Sequence, residues 1–334
     1  MSAPRPPAMS DVAAVAGVSH QTVSRVLNGH PSVRPETRQR VLDAIRELGY
    51  RRNTAARALV TRRSGTIGVV TSGLALFGPT STFIAVERAV RDAGLFVSVA
   101  TVGQWEPEGM HQVLDHFMSQ AVEGLVVIAA HDEAVEAVQA FDAPVPVVMV
   151  GPKDLPGGRL QSVAVDQYAG ARIATRHLLD LGHSHVAHLR GPDEIDARER
   201  VRGWQDELRA AGVVAGEPIP GDWAAATGYD VGRRLVAEGL PTAIFAANDQ
   251  LALGLLRAFS ELSVRVPADV SVVGFDDVDG SAHFSPPLTT VRQEFAALGQ
   301  RCVQLLVAAI GGQDTQPDLV EPHLVVRASS GPPR

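Results

Sequence analysis

The 334-residue chain carries 30 Lys+Arg against 37 Asp+Glu and is 45% hydrophobic, enough for a small module and a larger body of ordinary domain size. It holds no run of 18 apolar residues, and no apolar signal core follows Arg5, so no membrane is expected as a partner and a cytoplasmic chain is predicted. The single cysteine, Cys302, excludes an internal disulfide and lies in a helical pattern where packing is its expected role. Charge is divided unevenly. Residues 1–63 hold 11 Lys+Arg against 4 Asp+Glu, and the remainder holds 19 against 33. A basic head on an acidic body suits a module that meets phosphates while the rest does not.

Residues 9–28 read as two short helices joined by a turn at Gly17. The first buries Val12, Ala13 and Ala16. The second is capped by Ser19 and buries Val23, Val26 and Leu27, which leaves His20, Gln21, Ser24 and Arg25 facing outward. Such a face suits the DNA major groove, where Gln and Arg read donor and acceptor patterns; an ordinary helical hairpin with a solvated face is the other reading. A third helix is predicted over 36–48, with Pro35 at its first turn and Gly49 as its stop. The alanine-rich run 54–60 is too short to hold itself helical without a partner.

Several motifs of this segment resemble the lactose-repressor family of bacterial transcription regulators: Asp11-Val12-Ala13, Ala16-Gly17-Val18-Ser19, Thr22 through Asn28, Thr37-Arg38 and Leu48-Gly49-Tyr50, followed by Asn53, Ala56 and Leu59. The resemblance implies a helix-turn-helix DNA-binding domain over 1–51, a hinge helix and linker over 52–63, and an effector-binding and dimerisation domain over 64–334. It implies that His20, Gln21 and Arg25 read bases, while Ser19, Thr22, Ser24 and Asn28 sit at the DNA, mainly holding phosphates. Asn53, Ala56 and Leu59 would belong to the hinge, with Leu59 an apolar wedge levered into the minor groove. Two positions depart from the family: Ala8 and Arg34 stand where side chains usually cap the first and third helices, each at a local cost of up to about 1 kcal/mol.

Beyond the head, strand-like runs at 66–70, 96–100, 124–128, 145–149, 163–165, 186–189, 243–246 and 270–273 alternate with helical stretches such as 83–93, 108–120, 168–181, 197–212, 227–238, 249–262 and 294–311; a last strand is expected at 324–326. The alternation predicts parallel sheets covered on both faces. No Gly-x-Gly-x-x-Gly frame follows the first strand, which argues against a dinucleotide enzyme. The same resemblance runs through this region, in Leu181-Gly182-His183, Gly203-Trp204, Ala247-Asn248-Asp249-Gln250 and Ser271 through Asp277. It implies an α/β body of two parallel-sheet lobes like those of periplasmic sugar-binding proteins. The N-lobe would span about 64–164 and 294–322, the C-lobe about 165–293 and 323–330, with crossings near 163–166, 290–295 and 321–324. Thr71 through Pro79 and Gly221-Asp222-Trp223 look like the family's namesake more than the family at large.

Ligands of open parallel sheets bind at the strands' carboxyl ends. The resemblance assigns Arg200, Asn248 and Asp276 to sugar hydroxyls, a donor, a donor–acceptor and an acceptor; an Arg–Asp ion pair between loops is the plainer reading. Trp223 and Phe295 offer flat faces to a pyranose ring, Leu76, Pro79 and Leu298 a wall, Ser72 a polar contact, and Gln293 a sensor of closure. Trp204 is expected to pack. Gly151 and Val165 replace an aspartate and an aromatic residue of the namesake, which enlarges one corner and leaves the sugar open. His177, His183, His185 and His188 cluster in sequence, but alternation would separate the last from the middle two, and no metal site or other cofactor is expected. Adjacent Asp276 and Asp277 point apart in extended chain and are no glycosidase pair. The expected function is therefore a homodimeric repressor, not an enzyme, released from a pseudo-palindromic double-stranded operator by a small sugar such as a galactoside or other glycoside. The alternatives are a regulator tightened on DNA by a metabolite, or a sugar-binding protein without DNA activity. No leucine heptads follow the last strand, so a dimer is expected rather than a tetramer.

Overall fold

The computed structural model describes residues 5, 7–51, 63–72, 75–103, 105, 107–140, 143–152, 160–313 and 316–334. The expected hinge residues Asn53, Ala56 and Leu59 lie outside the described residues. The chain divides into two compact units, 1–64 and 65–334.

Three helices, α1 (Met9–Ala16), α2 (His20–Leu27) and α3 (Pro35–Leu48), form the first unit. Helices of eight residues do not stand alone in water; these are held by a shared core of Val12, Ala13, Ala16, Val23, Val26, Val41, Ala44 and Tyr50. The α1–α2 turn is possible because Gly17 adopts φ 65, a left-handed conformation that costs glycine little. Ser19 caps α2 by accepting from the Thr22 amide at 3.1 Å. Ala8 offers α1 no side-chain cap, yet the end is not bare: the Asp11 carboxylate accepts the Ala8 N–H at 2.8 Å. That hydrogen bond, assisted by Arg5, holds the Asp11 carboxyl below its ordinary range. Arg34 provides no side-chain cap for α3, which starts on Pro35.

The second unit contains two sheets. In the first, β1 (Thr66–Thr71), β2 (Phe96–Thr101), β3 (Gly124–Ile128), β4 (Val147–Val150), β5 (Gln161–Val165) and β10 (Asp318–Val320) are ordered β10-β5-β4-β3-β1-β2, every pair parallel. Between them run α4 (Phe77–Asp92), α5 (Pro107–Ser119) and α6 (Asp132–Ala140), and α11 (Phe295–Ile310) returns later to the same sheet. Both faces are covered: Ile67, Val126, Val148 and Leu306 belong to one apolar cluster, Val70, Phe117, Leu125 and Met149 to the other. This is why the strands read as continuous apolar runs rather than alternating ones.

In the second sheet, β6 (Val186–Leu189), β7 (Ala243–Ala246), β8 (Ser271–Asp276), β9 (Thr289–Arg292) and β11 (His323–Val325) are ordered β11-β9-β8-β7-β6. The β11–β9 pair is antiparallel, so this lobe departs from the all-parallel expectation at one edge. Helices α7 (Gln167–Asp180), α8 (Ile195–Ala210), α9 (Ala225–Glu238) and α10 (Asp249–Glu261) cover it. Helices α9 and α10 touch backbone to backbone: a Cβ on Gly254 would sit 2.0 Å from the Ala225 carbonyl oxygen, and one on Gly228 would sit 2.1 Å from that of Leu251.

The chain passes between sheets at residue 166, at 293–294 and at 321–322. Val165 closes β5 and thus belongs to the first sheet, not the second. Helix α4 begins six residues before the expected 83, because Leu76 starts it in extended conformation and Gly78 and Pro79 fall in its first turn, where proline needs no N–H partner. Helix α6 and strands β9 and β10 are elements that the sequence pattern did not single out.

Candidate functional site

Helix α2 presents the polar face of the head. His20, Gln21, Arg25 and Asn28 are exposed, while Thr22 and Ser24 are half-buried. Ser19 and Thr22 share a hydroxyl–hydroxyl contact at 2.9 Å, and Asn28 Nδ2 donates to Ser24 Oγ at 3.4 Å. Buried Val23 and Val26 fix the rotation of the helix, so His20, Gln21 and Arg25 stand clear of the core. A helix bearing an amide in its first turn and a guanidinium in its last, both clear of the core, has the shape and donors that enter a major groove.

The body's cleft lies at the carboxyl ends of the strands, where the loops carry the polar side chains. It encloses about 540 Å³, within the range usual for small-molecule sites. All ten expected residues line it: Ser72 after β1, Leu76 and Pro79 at the start of α4, Arg200 on α8, Trp223 before α9, Asn248 before α10, Asp276 at the end of β8, Gln293 after β9, and Phe295 and Leu298 on α11. The fold therefore gathers side chains from both lobes around one space. Sequence reasoning missed Gln167, Glu194, Asp196, His131 and Gln250, which line it too. Asp196 carried a signal: it precedes Arg200 by four residues, one turn away on the same face of α8. Gln167 carried none beyond its place directly after a crossing.

Arg200 is 4% exposed and lies 3.8 Å over the centroid of the Phe275 ring and 5.4 Å from that of Trp223. Its Nε donates to Gln167 Oε1 at 3.0 Å, its NH1 donates to the Ala247 carbonyl, and its NH2 stands 3.9 Å from Asp276 Oδ1. The Arg200–Asp276 pair is thus loose rather than bidentate, and both groups keep capacity for hydroxyls. Burial pushes the Asp276 carboxyl up to about 7, with Arg200 pulling against it, and lowers the Arg200 guanidinium from its ordinary value. Asp196 is raised by burial as well. Asn248 caps α10 by accepting from the Leu251 amide at 2.8 Å and donates to the Trp223 carbonyl at 3.1 Å, which leaves one N–H for a ligand. Trp223 Nε1 donates to Glu194 Oε2 at 3.2 Å, which fixes the indole at the cleft wall.

Asp276 and Asp277 are not extended: their φ angles are 112 and 51, a strained turn held from two sides. Asp277 accepts from Arg292 Nε at 2.7 Å and from Arg327 NH2 at 2.6 Å. Buried Asp249, pushed up to about 6 by burial, accepts from the Val278 amide at 2.9 Å and from the hydroxyls of Ser281 and Thr290. The ligand-facing carboxylate is therefore set by a second buried one. At the far wall, Ser72 Oγ accepts from Trp105 Nε1 at 3.1 Å, and Phe77 meets Phe295 edge to face at 5.7 Å. Any side chain at Gly151 would begin 2.4 Å from the Ala129 carbonyl oxygen, so this corner accepts a carboxylate only if the backbone moves.

The histidines serve the second lobe. His183 precedes β6 rather than lying in it, and bridges Thr242, Ser271 and the Gly331 carbonyl, so strand alternation does not govern it. His188 stacks on Phe245, and burial pushes it down to about 3; His177 meets Ser330. Trp204 is buried and donates to the Val186 carbonyl. Cys302 is buried in the first sheet's core, and its thiol is pushed up to about 12.

A basic helix-turn-helix unit followed by a two-lobed α/β unit with a polar cleft defines a ligand-responsive DNA-binding protein. Residues 8–53 match the family described as bacterial regulatory proteins, lacI family, and residues 175–330 match the periplasmic binding protein-like domain. The chain is 36% identical to the lactose operon repressor of Escherichia coli (strain K12) over 97% of its own length and 90% of that protein's. The crystal structure of the Lac repressor dimer bound to operator and the anti-inducer ONPF superimposes with a TM-score of 0.87, at 36% identity, covering 98% of this chain and all of that one. The structure of the regulator CelR with cellobiose aligns at a TM-score of 0.71 and 34% identity, over 97% and 99% of the two chains. The chain belongs to the lacI family of bacterial transcriptional regulators. It is a DNA-binding regulator and not an enzyme. Among the described residues, no helix is long and apolar enough to cross a membrane.

Proposed function

We propose that this chain is a homodimeric cytoplasmic repressor of sugar-utilisation genes whose grip on a pseudo-palindromic operator loosens when an uncharged saccharide fills the cleft. His20, Gln21 and Arg25 read base edges; Ser19, Thr22, Ser24 and Asn28 hold the sugar–phosphate backbone; Asn53, Ala56 and Leu59 engage the minor groove. In the cleft, Arg200, Asn248 and Asp276 divide the hydroxyls among them, with Trp223 and Phe295 against the ring, Leu76, Pro79 and Leu298 against the second substituent, Ser72 as a polar contact and Gln293 beside the crossing.

The observation that carries the saccharide reading is charge. Among the described lining residues, the carboxyls of Glu194, Asp196 and Asp276 stand beside one guanidinium, that of Arg200, a balance that gives an anionic metabolite no surplus of positive charge and offers sugar hydroxyls both donors and acceptors. The relatives point the same way, since one of them is a lactose operon repressor and another was solved with cellobiose. The test has two stages. An operator is first selected from random duplexes with the full chain. Fluorescence anisotropy then follows its release by lactose, cellobiose, maltose, xylobiose and the methyl glycosides of their sugars. Release by at least one is expected; operator affinity unchanged by every one of them at saturation defeats the reading, and tightening reverses its sign.

A further inference from the structure

Beneath the cleft, four side chains close a ring. Arg200 Nε donates to Gln167 Oε1 at 3.0 Å, Gln167 Nε2 donates to Gln293 Oε1 at 3.0 Å, and Gln293 Nε2 donates to Asp276 Oδ1 at 2.6 Å. That oxygen stands 3.9 Å from Arg200 NH2, which completes the circuit. All four residues are more than nine-tenths buried. Donation runs one way, from the cation through two amides to the carboxylate. Turning over either amide would set N–H against N–H and oxygen against oxygen, so a single arrangement satisfies every member. A buried polar network of this kind has discrete states rather than a continuum.

The two glutamines stand at different places in the chain. Gln167 directly follows residue 166, where the chain first leaves the first lobe; Gln293 begins the second passage, 126 residues later. Asp166 fixes this start by capping α7, accepting from the Ala169 amide at 2.8 Å. The ring thus fastens two of the three crossings to Arg200 and Asp276, which both line the cleft. Asp277, next to Asp276, grips Arg292, next to Gln293, so the second crossing is held at consecutive residues.

We propose that Gln167 is the positioning residue that makes the crossings answer to the cleft: its amide joins Arg200 to Gln293, so that a sugar hydroxyl engaging Arg200 or Asp276 reorganises both passages together. This inference rests on the sugar-release reading above. Without the Gln167 amide, Arg200, Asn248 and Asp276 still bind sugar, but Arg200 and Gln293 respond separately. A merely structural Gln167 would behave differently. Its loss would weaken the fold, or sugar affinity, and leave intact the ratio of operator affinities without and with sugar.

The experiment compares the full-length wild type with Gln167→Leu, Gln293→Leu, their double variant, and Gln167→Asn, which keeps an amide too short to span both partners. Gln167→Asn keeps the test alive if a buried leucine prevents folding. The probes are lactose, cellobiose, maltose and xylobiose, with calorimetry for sugar affinity and anisotropy on the selected operator for the ratio. By reciprocity the same ratio is read from sugar affinity with and without operator. In the Gln167 variants the ratio is expected to collapse from the 5–150-fold range common for coupled sites to within about twofold of one. The double variant is expected to match either single, because residues acting as one network are not additive. A wild-type ratio retained in a folded Gln167 variant, or additive effects in the double, overturns the inference while the sugar-release reading stands. A wild type indifferent to all four sugars counts against that reading, and the inference falls with it.

Discussion

The reading face of α2 and the cleft of the body solve recognition in opposite ways. On and beside α2 the chemically active side chains are exposed or half-buried, come from ten consecutive residues, and lean on near neighbours such as Ser19–Thr22 and Ser24–Asn28. In the cleft they come from the ends of many strands and helices, and they are buried and bound to one another before any ligand arrives. A surface reader can change its target by changing single side chains at little cost in stability. A buried recogniser is preorganised, and each of its members also supports the fold.

Four tests sharpen or break this contrast, taken from the largest effect to the smallest. Arg200→Leu is expected to do double damage: a buried carboxylate and amide lose their partner, at about 3–5 kcal/mol of stability, and saccharide affinity falls by about 100-fold, the scale of a charged hydrogen-bonding group. Chemical denaturation and calorimetry read the two effects. If stability held while binding fell, the cleft would resemble the head and the contrast would fail. Gln21→Ala and Arg25→Ala should each remove about 1–3 kcal/mol of discrimination between the selected operator and a shuffled duplex. Melting of the body and its sugar affinity should stay where they were.

The third test uses acidity. Because burial raises Asp276 to about 7, the folded chain holds this proton more tightly than the unfolded chain, whose carboxyl titrates near 3.8. Its stabilising contribution is complete below that lower value and is lost as pH rises through about 7. His188, pushed down to about 3, acts with the opposite sign between its two values, so only the difference between two proteins is informative. Asp276→Asn should gain on the wild type as pH goes from about 5 to 8. The gain is read in melting temperature, where each 1 kcal/mol is worth about 2–4 °C in domains of such size. A parallel pair of curves would show that burial does not govern this carboxyl. Smallest of all, Ser19→Ala should cost about 1 kcal/mol of helix stability. Hydrogen exchange over α2 in the full chain should show faster exchange there and nowhere in the body.

Much of this architecture was legible because it rests on local pattern. Ser19, Gly17 and the spacing of Val23 and Val26 dictate the head, and the apolar strands with their intervening helices dictate two covered sheets. What escaped did so for physical reasons. Strand β9 follows Pro286-Pro287 and begins with two threonines; these are buried only because Thr290 meets Asp249 and Thr289 meets Ser330, contacts made across the fold. The start of α4 was hidden by a glycine and a proline in its first turn. In the cleft, Arg200, Asn248 and Asp276 stand out by their chemistry and by resemblance to a known family. An amide such as Gln167 has no periodicity or spacing that marks it, and only the closing of the ring gives it meaning. The last strand was expected where β11 lies, but its antiparallel direction was not legible, because direction is decided by a crossing and not by composition.

The tight seam between α9 and α10 has a mechanical corollary. Trp223 leads into one of these rods and Asn248 into the other, and where Gly228 and Gly254 meet, nothing bulkier than hydrogen fits. Platform and amide therefore travel as the jaws of a calliper locked at one gauge. Retuning for a wider or narrower guest is left to the opposite wall, around the exposed Leu76 just ahead of α4, and not to Gly151, where the Ala129 carbonyl blocks any side chain.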